Sequence, residues 1–143
     1  EIDQDSSLKI SPTNHDALVS ALHWRNVIAH PSIMVRRKKL IDIKGYDETI
    51  GLLEDYDLYI RLINKGAKFH CIPKVLLRVR TSIEQRARRG NFAYLATEIR
   101  FRYRLFRSGF LSFSQFLVTT GLYTIFRLTG APLRNRLYAS VRS

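Results

Sequence analysis

The sequence contains one cysteine, Cys71, one methionine and one tryptophan in a chain of 143 residues. A single cysteine excludes an internal disulfide and fits a protein of the reducing cytoplasm. The chain also lacks close pairs that bind zinc, such as Cys-x-x-Cys or His-x-x-x-His. We therefore expect these residues to bind no metal ion on their own. The 45% hydrophobic content is sufficient for a hydrophobic core in one domain.

Acidic residues and lysine almost disappear from the second half of the chain. Residues 1–77 carry 11 Lys and Arg against 10 Asp and Glu, whereas residues 78–143 carry 13 Arg, no Lys and two Glu. The net charge of +11 in residues 78–143 indicates an anionic partner, which could be phospholipid, nucleic acid or a phosphorylated substrate. We do not expect nucleic acid, because the aromatic residues recur at helical core spacing and no nucleic-acid-binding module is recognisable.

The stretch from Gly51 to Gly66 predicts a loop, a helix of about three turns and a helix stop. At about 100° per residue, its apolar side chains share one broad arc that we expect to be buried. These side chains are Tyr56, Leu58, Tyr59, Ile60, Leu62 and Ile63. Asp57 lies on the opposite, polar face, four residues before Arg61. An i,i+4 ion pair explains Asp57 without a chemical role, and we expect Asp57→Asn to reduce the turnover of the complete enzyme little.

Asp55 falls inside the apolar arc, where a charge is costly unless it is bonded or faces a cleft. One interpretation is a capping carboxylate, because acidic residues are favoured in the first turn of any helix. The other is a carboxylate at the wall of a cleft, ready to accept a proton as a general base. The local sequence leaves both interpretations open.

The segments around this helix predict a mixture of helix and strand. Asn14 is expected to cap a short helix, and residues 38–43 to form one or two helical turns closed by Gly45. Residues 68–72 and 75–80 are predicted to form two short β segments, bent at a proline that belongs at a sheet edge.

Residues 92–107 predict an amphipathic helix with two apolar sides separated by arginines. Ile99 and Tyr103 belong to the main apolar stripe, and Phe101 and Leu105 occupy the far side. Such a helix can dock on its own domain and also rest on a membrane surface. Packing between protein elements explains the pattern equally well, and both interpretations stay open.

Residues 108–126 are uncharged and long enough to suggest a transmembrane helix. Their Ser, Thr and Gln side chains gather on one side, however, and their Leu, Ile and Val side chains on the other. This segregation favours a helix that lies in an interface over one that crosses it. Pro132 then suits the first turn of a last short helix.

Five sequence blocks, in order, resemble the second half of a family 2 inverting glycosyltransferase of the GT-A fold. The blocks are HPSIMVRR at 30–37, GYDE at 45–48, EDYDL at 54–58, GAKF at 66–69 and IPKVLL at 72–77, followed by Arg80. The resemblance covers residues 26–82. It implies that Asp55 deprotonates the acceptor hydroxyl and that His30 contacts donor or acceptor. It also implies a substrate-binding role for Arg80. Glu54, directly before Asp55, is expected to position the adjoining loop. His30 has a plainer interpretation as a capping or core residue, and Arg80 as part of a solvated strand face.

The resemblance implies an α/β chain, a partial GT-A fold without its nucleotide-binding half. We expect residues 1–82 to be the acceptor-side half of the catalytic domain and residues 83–143 to be an arginine-rich helical tail. The missing half, expected upstream, would carry the Asp-x-Asp motif that holds Mn²⁺ or Mg²⁺ and the donor diphosphate. The isolated chain should then bind a nucleotide sugar weakly and be inactive.

The expected function is transfer of a sugar, with inversion, from a nucleotide-sugar donor to a hydroxyl of a sugar or lipid-linked acceptor. Cell-surface polysaccharide or glycolipid synthesis is the expected process. We expect a cytoplasmic protein that is peripheral on the inner face of the plasma membrane. The basic residues 84–143 are expected to bind anionic lipid there. The alternative is a non-catalytic basic module that binds an anionic membrane or nucleic acid.

Overall fold

The computed structural model describes residues 10–78 and 92–128. These residues contain five α-helices and two short 3-10 helices. The α-helices are α1 (His15–Leu22), α2 (Arg37–Asp42), α3 (Glu54–Asn64), α4 (Phe92–Arg107) and α5 (Phe113–Leu128), and the 3-10 helices are His30–Ser32 and Glu48–Leu53.

The prediction of an α/β chain with a partial GT-A fold is wrong for this part of the chain. No residue of 10–78 or 92–128 belongs to a strand, and 60% of these residues are helical. Residues 67–72 and 75–78 are non-helical, but a β-strand also needs a neighbouring strand to complete its hydrogen-bond ladder. The Cys71 N–H instead bonds the Thr13 carbonyl in the turn before α1, at 3.0 Å.

The two short helices near the start form as their capping residues predict. Asn14 Oδ1 accepts a hydrogen bond from the Ala17 N–H at 2.9 Å, which confirms the predicted cap of α1. After α2, Gly45 adopts a φ of +66°, the left-handed conformation that closes a helix without steric cost in glycine.

Helix α3 forms the centre of the core. It ends as predicted, with Gly66 at a φ of +71°. Its buried apolar side chains are Tyr56, Leu58, Tyr59, Ile60 and Leu62. The Tyr56 hydroxyl donates to the Leu22 carbonyl at the end of α1, and its ring packs on Phe101 of α4 at a centroid distance of 5.2 Å. Burial of each Leu or Ile side chain stabilises the fold by about 1.5–3 kcal/mol relative to leaving it exposed. Helix α3 thus contacts both α1 and α4 through Tyr56.

Asp57 is buried, which corrects the prediction that it lies on an exposed polar face. Its side chain accepts from Arg61 Nε at 2.5 Å, so the predicted i,i+4 pair is confirmed. Arg104 of α4 also approaches it, with 3.9 Å between Nε and Asp57 Oδ1. The carboxylate lies between these two arginines, and Asp57 is only 2% exposed. We now expect Asp57→Asn to destabilise the fold, because it removes the buried partner of the Arg61 ion pair.

Helix α4 packs on the core with its smaller apolar side and not with the predicted main apolar stripe. Phe101 and Leu105 are buried, whereas Ile99 and Tyr103 of the predicted main stripe are exposed. The rotation follows from contacts outside the helix. Phe101 packs on Tyr56, and Arg104 Nη2 lies 2.9 Å from Asp47 Oδ2, just before the 3-10 helix Glu48–Leu53.

A sharp turn separates α4 from α5 within the predicted helical stretch 108–126. Gly109 adopts a φ of +74°, and Phe110 stacks on His23 at 4.5 Å. Ser112 and Gln115 then form a reciprocal capping box: Ser112 Oγ accepts from the Gln115 N–H at 3.2 Å, and Gln115 Oε1 accepts from the Ser112 N–H at 2.9 Å. The predicted helix therefore begins only at residue 113. Among the described helices, none has the length and apolarity needed to cross a membrane.

Candidate active site

Asp55 lies in the first turn of α3, half-buried, with a hydrogen bond to each carboxylate oxygen. Oδ1 accepts from the Tyr56 N–H at 2.7 Å, and Oδ2 accepts from Asn26 Nδ2 at 3.0 Å. The Asn26 side chain is itself oriented, because its Oδ1 accepts from the Ile28 N–H at 3.1 Å. The carboxylate is therefore fixed from two separate segments of the chain.

The start of α3 explains why a carboxylate is stable there. Its N-cap residue, Leu53, provides no side-chain cap, so the first-turn N–H groups need other acceptors. Asp55 accepts from one of them and lies at the positive end of the helix dipole. The capping interpretation thus accounts for one oxygen of Asp55. The bond from Asn26 to the other oxygen goes beyond capping, and both interpretations stay open.

His30 connects two tyrosines beside Asp55. Its Nδ1 lies 3.0 Å from the Tyr59 hydroxyl, and its Nε2 lies 3.5 Å from the Tyr46 hydroxyl. Burial raises the pKa of Tyr59 above its usual range, and the charges of Asp55, Tyr46 and Glu54 act in the same direction. Tyr59 therefore stays protonated at ordinary pH and lies close to both predicted catalytic carboxylates.

Glu54 has one oxygen, Oε2, that is buried and has no hydrogen-bond partner among the described residues. Such an oxygen is costly unless another group, such as a ligand hydroxyl, donates to it. Tyr46, at the other side of the cluster, is exposed and carries a ring that packs edge-on against His30 at 5.8 Å. The cluster therefore extends from a buried carboxylate oxygen to an open aromatic ring.

Three of the four predicted site residues, Glu54, Asp55 and His30, come together around Tyr59. Arg80 lies outside the described residues. No set of three His, Cys, Asp or Glu side chains that could hold a metal ion occurs within 10–78 and 92–128. The described part of the chain therefore offers no complete ligand set for the divalent metal that the resemblance implies.

Sequence analysis missed Asn26, Tyr46 and Tyr59 as members of this cluster. Tyr59 was recoverable, because it follows Asp55 by four residues and so shares its side of α3. Asn26 was not, because it precedes Asp55 by 29 residues and only the fold brings the two together.

Comparisons with known proteins identify relatives of one kind. The chain is similar to the UDP-Gal:alpha-D-GlcNAc-diphosphoundecaprenol beta-1,3-galactosyltransferase of Escherichia coli, with 27% identity over 117 residues, 82% of this chain and 42% of that protein. It is 25% identical over 107 residues to the amylovoran biosynthesis glycosyltransferase AmsE of Erwinia amylovora, covering 73% of this chain and 40% of that protein. Over 55 residues, 38% of the chain and 19% of the relative, it is 42% identical to an uncharacterized glycosyltransferase of Methanocaldococcus jannaschii.

The chain spans about two fifths of the length of the first two relatives. No protein-family model and no solved structure matches it. All three relatives are named as glycosyltransferases, the enzyme class that the sequence predicts. The assignment to family 2 stays a prediction.

Proposed function

We propose that this chain is the acceptor-side part of a family 2 inverting glycosyltransferase in which Asp55 is the catalytic base. The observation that carries this proposal is the pair of hydrogen bonds that fixes the Asp55 carboxylate, from Asn26 Nδ2 and from the Tyr56 N–H. A base is effective when it is held within reach of the proton that it removes, and a carboxylate with both oxygens bonded has little rotational freedom.

The proposed reaction is a single displacement. Asp55 accepts the proton of the acceptor hydroxyl while the hydroxyl oxygen forms a bond to the anomeric carbon of the donor sugar. The bond from that carbon to the nucleoside diphosphate breaks on the opposite face, and its electrons leave with the diphosphate. A carboxylate oxygen has lone pairs beyond those used by Asn26 and Tyr56, so Asp55 can meet the acceptor without losing its supports.

The neighbours of Asp55 suit a sugar acceptor. Glu54 Oε2 is buried without a partner in the described structure and would accept from a sugar hydroxyl. Tyr46 presents an exposed ring beside His30, and an aromatic ring can pack against the apolar face of a sugar. We assign Glu54 and His30 to binding and orienting the substrate.

The name of the Escherichia coli relative suggests the substrate classes. By similarity, we propose a nucleotide-sugar donor and a lipid-linked diphosphate acceptor, used in cell-surface polysaccharide or glycolipid synthesis. We propose that the reaction takes place at the inner face of the plasma membrane, where the arginine-rich second half would hold the protein. We propose that sugar transfer by the whole protein uses Mn²⁺ or Mg²⁺, whose ligands lie mostly outside the residues described here.

Asp55→Asn in the enzyme expressed from its complete coding sequence tests the proposal. Turnover should fall about a hundredfold or more, the scale expected for losing a positioned base, while the free energy of unfolding changes little. Asp42→Asn, which removes an exposed carboxylate at the end of α2, is the matched control and should keep full turnover. Asp57→Asn is unsuitable as a control, because Asp57 is buried in an ion pair.

Two outcomes of this experiment are informative. Loss of turnover with unchanged unfolding supports the assignment of Asp55 as base. Near-normal turnover with unchanged unfolding contradicts it and leaves Asp55 as a capping residue of α3.

A further inference from the structure

Helix α5 exposes the side chains that a helix of a water-soluble domain normally buries. Five large apolar side chains of α5 are 48–64% exposed. They are Phe113, Leu117, Val118, Leu122 and Ile125. At 100° per residue, the last four of these share an arc of about 140°, with Gly121 in its middle and no charged residue.

The side of α5 that faces the protein is, in part, polar. Thr119 is buried and its hydroxyl donates to the Gln115 carbonyl in the preceding turn, at 2.7 Å. Thr120 Oγ1 is buried as well and has no hydrogen-bond partner in the part of the chain that the structure describes. Burial of hydroxyl groups beneath exposed Leu and Ile side chains is unfavourable in water.

Specific ring contacts hold α5 in this orientation. Phe116 stacks on Phe106 of α4 at a centroid distance of 5.4 Å. About two turns further along α5, the Arg102 guanidinium lies 3.8 Å from the centre of the Tyr123 ring. Helix α5 cannot rotate its aliphatic face inward without breaking both contacts.

The neighbouring helix α4 supplies positive charge at the surface. Arg100 and Arg107 are exposed, and they share an arc of about 100° with the exposed side chains of Ile99 and Tyr103. The acidic residue of α4, Glu98, is buried. The α4–α5 pair thus carries an aliphatic face on one helix and exposed arginines on the other, groups that are complementary to the acyl chains and phosphate groups of an anionic bilayer.

From this arrangement we infer that the exposed face of α5, formed by Leu117, Val118, Leu122 and Ile125, inserts into the headgroup region of an anionic phospholipid bilayer. The helix has 16 residues and a length of about 24 Å, and no described helix is long and apolar enough to span a bilayer. It therefore lies parallel to the membrane plane, while Arg100 and Arg107 bind lipid phosphates. The inference names the lipid-binding surface and does not depend on sugar transfer.

Binding of the full chain to vesicles tests this surface. The wild-type chain should bind phosphatidylglycerol-containing vesicles more strongly than phosphatidylcholine vesicles, and less strongly as salt rises. The double variant Leu117→Gln/Leu122→Gln should bind the anionic vesicles roughly tenfold more weakly, because two inserting side chains are lost. Circular dichroism should stay unchanged, since both side chains are exposed.

Ile41→Gln provides the matched control for loss of an exposed aliphatic side chain. Ile41 lies on α2 beside Lys38 and Lys39 and is 60% exposed, so it has a similar local chemistry without belonging to the α5 face. Its substitution should change vesicle binding less than twofold or so. Equal losses for Ile41→Gln and the α5 double variant, or no loss for the double variant, would overturn the inference.

A fluorescent probe distinguishes lipid from other occupants of the same face. In a Cys71→Ser background, Val118→Cys carries an environment-sensitive label at the middle of the proposed surface. The label should be solvated in dilute protein and shift to the blue only with anionic vesicles. A label that is already shielded without vesicles means that another part of the chain or a second copy covers α5. A shift that RNA produces and vesicles do not would likewise refute the lipid assignment.

Discussion

Helices α3 and α5 differ in what they turn toward the protein. Helix α3 buries Leu58, Tyr59 and Ile60, and it also buries Asp57, which pairs with the partly exposed Arg61. Helix α5 buries Thr119 and exposes aliphatic side chains such as Leu122. Both sequences separate polar from apolar residues at the period of an α-helix.

This difference shows that periodicity identifies the two sides of a helix but does not decide which side faces the protein. The environment decides. Helix α3 contacts α1, α4 and the 3-10 helix Glu48–Leu53, so Asp57 on its polar side is buried as well. Helix α5 packs against α4 through aromatic and cation–π contacts. Its aliphatic side stays exposed, and we infer that it enters a lipid bilayer.

Matched truncations of one leucine in each helix should show the largest contrast. Leu58 of α3 is 0% exposed, so Leu58→Ala should lower the free energy of unfolding by about 2–5 kcal/mol, the range for a buried leucine. Leu117 of α5 is 52% exposed, and Leu117→Ala should change the free energy of unfolding by less than about 0.5 kcal/mol. Urea unfolding without lipid measures both. Similar losses for the two variants would mean that protein covers the α5 face and would abolish the contrast.

The sequence predicted α3 well because its broad apolar arc and Gly66 agree with its environment. It failed at α4, where the choice between Tyr103 and Phe101 as core residues depends on Tyr56 and Asp47, which lie far away in the sequence. The prediction of β segments at residues 68–72 and 75–78 was wrong for a related reason. Alternation is a local property, whereas a strand exists only if a partner strand is adjacent.

The candidate site was partly predictable on the same grounds. Asp55 stood out because it interrupts an apolar arc, which is a local signal of a bonded or functional charge. Asn26 and Tyr46 have no such local signal, and their importance follows from distances that only the fold sets. The role of Asp55 as base remains a prediction.

Acid should weaken the attachment of α4 to the α3 side of the molecule. The pKa of Asp47 is lowered to about 2, mainly by hydrogen bonds from the Thr49 hydroxyl and N–H, and further by Arg104 of α4. A lowered folded-state pKa stabilises the fold at pH values above the unfolded value of 3.8, and this contribution is lost as the pH falls toward 2. Because the Asp47–Arg104 pair is partly exposed to solvent, we expect the Asp47 charge to contribute only about 1 kcal/mol to the free energy of unfolding.

Asp47→Asn isolates this charge, since asparagine can keep the helix-capping bond to Thr49. The variant should be less stable than wild type by about 1 kcal/mol at pH 6, and the difference should shrink as the pH falls from 3.8 through 2. Urea unfolding at pH 6, 4 and 2.5 checks this trend. A difference that stays constant across this range would show that the carboxylate charge does not hold α4.

The smallest effect, with the opposite sign, is expected on the protein-facing side of α5. Thr120 Oγ1 is buried without a partner among the described residues, so Thr120→Val removes a desolvated hydroxyl while keeping a branched side chain. The free energy of unfolding should stay equal or rise by up to about 1 kcal/mol. Thr119→Val, the matched control, should lower it by about 0.5–1.5 kcal/mol, because the Thr119 hydroxyl bonds the Gln115 carbonyl. If Thr120→Val is the more destabilising of the two, the Thr120 hydroxyl has a partner elsewhere in the chain, and α5 buries a satisfied polar side as α3 does.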